Sequence, residues 1–150
     1  MKTLLCLVGM VMLLGCGRDA VTNVDSSLLY GKWRIASVAP VGASVGTDTG
    51  NATTNNKFVM ELTSQFTASY SLEVNSCSAS FSVPEAGRIR FENLGCTKVC
   101  CDPPLGNTTG ALLPSLTYFA ISNDTLFLSG APHHSDRPNL AGEIVLVRAK

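Results

Sequence analysis

Phe66-Thr67-Ala68-Ser69-Tyr70-Ser71-Leu72-Glu73-Val74, Cys77-Ser78-Ala79-Ser80-Phe81-Ser82-Val83 and Arg88-Ile89-Arg90-Phe91-Glu92-Asn93-Leu94 follow one another across two short breaks, Asn75-Ser76 and Pro84-Glu85-Ala86-Gly87. Polar and apolar side chains alternate within each run, the period of a strand with one wet and one buried face, and the breaks are turn residues. Three short strands this close together read as an antiparallel meander. Outward from them the pattern continues: Lys57–Leu62 before, through Thr63-Ser64-Gln65, and Thr117–Ile121, Thr125–Leu128 and Glu143–Val147 after, with Ser122-Asn123-Asp124 as a further turn. Tyr30–Val38 opens the series as another alternating strand. The fold class is therefore all-β, a small antiparallel meander closed or nearly closed into a barrel, since closure removes the exposed edges that template aggregation. At most one short helix fits, over Gly110–Leu116, and Pro114 limits it. Pro40–Asn56, rich in Gly, Thr, Asn and Ser, reads as a long loop.

The N-terminus tells of location. Thr3–Gly15 is an apolar run of 13 residues behind Lys2, ending in Leu13-Leu14-Gly15-Cys16. A membrane span needs about 20 apolar residues. The run is short and turns polar at Gly17-Arg18-Asp19, and small Gly15 before a cysteine suits a lipoprotein signal peptidase. The expected organisation is a signal peptide over 1–15, a lipidated N-terminus at Cys16 with a tether over 16–29, and a β-barrel domain over 30–150. Several acyl chains, palmitate among them, would hold it stably to a bacterial membrane. In Gram-negative lipoproteins an Asp after the lipidated Cys tends to signal inner-membrane retention. Here that residue is Gly17, so the expected site is the outer membrane.

Without the leader, 135 residues remain, the size of one domain with one core. Ten basic residues then face eleven acidic ones. No basic cluster exceeds Arg88-Ile89-Arg90, too small a stripe to capture a phosphate backbone, and nucleic acid is not an expected partner.

Two resemblances add to this reading. Gly31-x-Trp33 at the head of the first strand resembles the lipocalin-type opening, which implies barrel closure by Trp33 with Arg148 of the last strand lying over it. More extensively, Asn75-Ser76-Cys77, Phe81, Gly87-Arg88-Ile89-Arg90-Phe91, Thr97-Lys98-Val99-Cys100-Cys101, Leu112-Leu113 and Asn123-Asp124-Thr125-Leu126-Phe127-Leu128 resemble the META/HslJ-like domain of bacterial lipoproteins and secreted proteins. That resemblance implies a β-barrel in the cell envelope and says little about mechanism. The chain departs from the family pattern in its Asn-Ser-Cys order, in lacking a Glu before the apolar segment, and in Pro103-Pro104 and Pro114 where a short helix is usual.

Four cysteines stay in the exported domain as disulfide candidates, Cys77, Cys96, Cys100 and Cys101, since Cys6 leaves with the leader and Cys16 is lipidated. Three connectivities are open. Counting outward from Val83 opposite Arg88 sets Cys77 opposite Leu94, near the whole 96–101 cluster. The family-like Thr97-x-x-x-Cys101 favours Cys77–Cys101 with Cys96–Cys100, and a vicinal Cys100–Cys101 bridge would be strained. Metal ligation by these thiolates, with His133-His134, does not match zinc spacing, so no metal and no cofactor is expected.

His133-His134-Ser135-Asp136 holds catalytic residue types, but neighbours in sequence cannot converge as a triad does. Glu61, Glu73, Glu92 and Glu143 alternate with apolar residues and read as wet strand faces rather than an acid and base pair. Asn51, Asn107 and Asn123 sit in glycosylation sequons that carry no meaning in bacteria. The expectation is a non-enzymatic protein for binding or envelope maintenance. One alternative is a carrier of a small apolar ligand, for which inward Ala68, Ala79 and Ala120 would leave room where large Phe, Leu and Met would not. Another is an inhibitor or adaptor offering the 40–56 or 132–138 loop to an envelope protein.

Overall fold

The computed structural model describes residues 25–42, 58–72, 74–99, 104–132 and 142–150. Cys16, Glu73, Cys100, Cys101, His133–Asp136 and most of the 40–56 loop lie outside them. Eight strands form one antiparallel sheet: β1 (Gly31–Ala39), β2 (Val59–Leu62), β3 (Thr67–Ser71), β4 (Ser76–Ser82), β5 (Arg90–Cys96), β6 (Tyr118–Ser122), β7 (Thr125–Ser129) and β8 (Glu143–Arg148). Their spatial order is β5-β4-β3-β2-β1-β8-β7-β6, so two meanders join where the last strand pairs with the first. The sheet curls into a partly closed barrel. Its two edges touch at one bridge, Arg88 opposite Tyr118, where Ile89 N–H donates to Thr117 C=O (3.1 Å) and Phe119 N–H to Gly87 C=O (2.9 Å).

Alternation fills the interior. Trp33, Ile35, Met60, Leu62, Ile89, Leu126, Leu128, Ile144 and Leu146 are fully buried. Ala68 and Ala79 point inward among them, whereas Ala120 lies on the outer face, because its neighbour Phe119 takes the buried position. β1 keeps its apolar side chains inside across a bulge between Ile35 and Ser37, which moves the buried phase from Ile35 to Val38.

The helix departs from expectation. α1 runs over Pro104–Leu112, earlier and longer than Gly110–Leu116, and a 3-10 turn, Leu113–Ser115, follows with Pro114 at its start. Proline costs least in a helix's first turn, where no intrahelical partner awaits its nitrogen. Gly106, Thr108 and Gly110 are poor helix formers, so tertiary burial of Leu105, Leu112 and Leu113 outweighs propensity. Buried Thr109 satisfies its hydroxyl on Leu105 C=O (2.8 Å). α1 lies at the barrel end that holds Leu72 and Gly142: a Cβ on Gly110 would touch Leu72, and one on Gly142 would stand 2.6 Å from Leu112 Cδ1.

Candidate functional site

The other end of the barrel is stoppered by the chain that precedes β1. Asp25 caps a 3-10 turn, Ser26–Leu29, by accepting from Ser27 N–H (2.9 Å), and that bond holds its carboxyl below the usual carboxylate range. Leu29 is fully buried, so part of the stretch read as tether belongs to the fold. Trp33 Nε1 donates to Leu29 C=O at 2.7 Å. Over the face of the indole lies Arg148, its Cζ 3.7 Å from the ring centroid. The guanidinium also donates to Tyr30 C=O (2.9 Å) and Leu28 C=O (2.8 Å). One arginine thus ties the turn, the tryptophan and the last strand together. Gly31 makes the arrangement possible: its φ is +129°, and a Cβ there would stand 2.8 Å from Arg148 Nη1. The spacing Gly31-x-Trp33 is in this way a packing requirement.

Beside this stopper is an aromatic group that the sequence reading did not single out. Phe66 closes the β2–β3 hairpin with φ +60°, in a position where Gly or Asn is usual. Its N–H bonds Thr63 C=O and its C=O accepts from Phe81 N–H. The ring stands edge-on to Tyr30 (6.4 Å) and Phe81 (5.7 Å), yet remains 46% exposed. A bulky side chain in the left-handed region costs about 1–3 kcal/mol. In the sequence Phe66 continues the alternation of Ala68 and Tyr70, so it reads as the first residue of the strand rather than as part of the turn.

A cleft of about 420 Å³ marks the seam where the sheet edges meet, lined by Glu85–Arg88, Tyr118–Ala120 and Pro132. Arg88 lies over Tyr118 (Cζ 4.1 Å from the ring centroid), and its Nε pairs with Glu85 at 3.1 Å. The pair braces the bridge between the edges from outside.

The disulfide differs from the pairing that the family resemblance favoured. Cys77 is bonded to Cys96, not Cys101. The β4–β5 hairpin pairs Ser82 with Arg90, one residue off the count from Val83 and Arg88, and a bulge shifts the register by one more between Ser78 and Ser80. Asn93, in the left-handed region at φ +55°, is on the bulged strand there. Together these shifts bring Cys96 rather than Leu94 opposite Cys77. Thr97 N–H bonds Ser76 C=O, so the two cysteines occupy the neighbouring position where facing side chains approach most closely. Next to them Asn75 is buried and clamps the outgoing chain: Oδ1 accepts from Thr97 Oγ1–H (2.9 Å) and Val99 N–H (2.8 Å), while Nδ2 donates to Val99 C=O (2.7 Å). Tyr70 places its hydroxyl 3.9 Å from Cys96 Sγ, and burial pushes its pKa up to about 12. Among the described residues no group of three or more His, Cys, Asp and Glu converges.

The fold recurs in solved structures. A protein from Burkholderia xenovorans, determined by NMR, is similar at a TM-score of 0.58 and 17% identity, over 83% of this chain and 86% of its own. A DUF4847 family protein from Bacteroides vulgatus is similar at a TM-score of 0.52 and 12% identity, over 80% of this chain and 93% of its own. No curated protein matches the sequence. The family model of the META domain matches residues 26–138, from the turn that stoppers the barrel to beyond β7, and the chain belongs to the META domain family.

Proposed function

We propose that this protein is a lipid-anchored component of the bacterial cell envelope, held at the outer membrane through Cys16, whose META domain binds through its surface and performs no catalysis. The observation that carries the surface reading is the filled interior: Trp33, Met60, Leu62, Leu126 and Leu146 occupy the space that a carried ligand would need. Inward Ala68 and Ala79 are buried among large neighbours, and Ala120, the third small residue of the carrier reading, is outside. The anchor reading rests on Leu13-Leu14-Gly15-Cys16.

The test is expression of the full chain with a palmitate label in a Gram-negative host, followed by fractionation and mass measurement of the N-terminal peptide. Expected are a mature chain starting at acylated Cys16 in the outer-membrane fraction, and an unlabelled Cys16→Ser protein. An unmodified cysteine in the wild-type chain would defeat the anchor. Saturable uptake of a fluorescent fatty acid by the purified domain would defeat the surface reading in favour of a carrier.

A further inference from the structure

We propose that the stoppered end of the barrel is a membrane-docking surface, on which Phe66 and Leu28 enter the interface of the bilayer that holds the Cys16 lipid. This rests on the anchor reading above. Leu28 (49% exposed) and Phe66 (46%) are large apolar side chains at the end of the barrel where the chain arrives from its anchor. Phe66 is held outward at a hairpin tip by a left-handed backbone that favours glycine, so half its ring faces water without the compensation of full burial. Tyr30, edge-on to Phe66, widens the apolar area, and Arg148 fixes the Leu28 carbonyl that orients the turn. Charges near this end are mixed: Lys32 stands opposite Glu61 in the β1–β2 register, Arg148 follows the Asp124 turn through its N–H bond to Asp124 C=O, and Asp25 caps the turn. That balance suits a shallow apolar and aromatic insertion at headgroup level rather than capture of anionic lipid.

Chain length selects the bilayer as occupant. Nine Cα–Cα steps separate Cys16 from Asp25, which reach at most about 30 Å. The nine residues of β1, tilted as barrel strands are, span roughly 23 Å. Presenting the α1 end to the membrane would therefore stretch the tether nearly straight along the barrel wall. Presenting the stoppered end needs no extension. The far end also exposes apolar residues, Val41 (67%), Val74 (43%) and Val99 (57%), so tether reach rather than exposure selects between the ends, and Val41 serves as the control.

The experiment uses the full lipidated chain in phosphatidylcholine vesicles whose acyl chains are brominated close to the headgroup. Phe66→Trp and Leu28→Trp report on the stoppered end and Val41→Trp on the other. Trp33 is a constant background in all three, being fully buried. The expected result is quenching at positions 66 and 28 at least about twofold stronger than at 41, consistent with insertion of about 5–10 Å. Equal quenching at all positions while the protein floats with the vesicles overturns docking and leaves the anchor standing. Failure to float, with Cys16 unacylated, removes the anchor and this proposal together.

Discussion

Single residues carry most of the end-stopper. Trp33 is fully buried, bonded to Leu29 C=O and covered by Arg148. Trp33→Ala should destabilise the domain by about 3–5 kcal/mol in denaturant unfolding, from lost burial and the cavity left behind. A loss below about 1 kcal/mol would mean that the indole does not support the barrel end. Phe66 should behave differently. Phe66→Gly relieves the left-handed strain while removing two edge-on ring contacts, so the net change should stay within about 1 kcal/mol. Asn75→Ala leaves the Val99 N–H and C=O without their side-chain partners and should cost about 1–3 kcal/mol. Tyr70 links stability to pH. Its folded pKa of about 12 lies above the ordinary value of 10.0, so the folded state keeps a proton that the unfolded state gives up. The contribution is complete below pH 10 and is lost as pH rises toward 12. Comparing melting temperatures of the wild type and Tyr70→Phe across that window should show a steeper fall in the wild type.

At the scale of elements, the strands were legible because their signal is local: an alternating run such as Cys77–Val83 needs only its own side chains and a turn on either side. β4 starts and ends within one residue of that run. The Gly31-x-Trp33 and Arg148 stopper was legible through resemblance, and Gly31 now has a steric reason. Register was not legible, because the Asn93 bulge depends on how two strands settle against each other, and one inserted residue moves every later partner. The favoured Cys77–Cys101 pairing had a different source, the family-like Thr97-x-x-x-Cys101, and it gives way to the register that sets Cys96 opposite Cys77. α1 was misplaced for a related reason: Gly106, Thr108 and Gly110 argue against a helix until the barrel end they cover is present. Phe66 was hidden because a left-handed aromatic breaks the local rule by which turns are read. The Cys77–Cys96 bond closes a separation of 19 residues, and its removal by Cys77→Ala/Cys96→Ala should cost about 3 kcal/mol in the chain-entropy description. Peptide mapping without reductant should recover Cys77 and Cys96 in one linked fragment. A Cys77–Cys101 fragment would mean that the strands pair in another register.

At the scale of the molecule, the described residues form a partly closed barrel whose inner face is occupied by its own buried side chains, and on its outside are a stoppered end bearing Leu28 and Phe66 and a seam braced by Arg88 on Tyr118. A lipid at Cys16, as proposed, would belong with this stoppered end, since the chain that would reach the membrane is the chain that leads into the cap of the barrel. The most direct test of the filled interior is native mass spectrometry of the Cys16→Ser protein, exported and purified from an envelope fraction, weighed before and after denaturation. With the interior filled, denaturation should release no bound mass. A small apolar molecule retained by the native protein and lost on unfolding would contradict it, and would make the barrel a carrier.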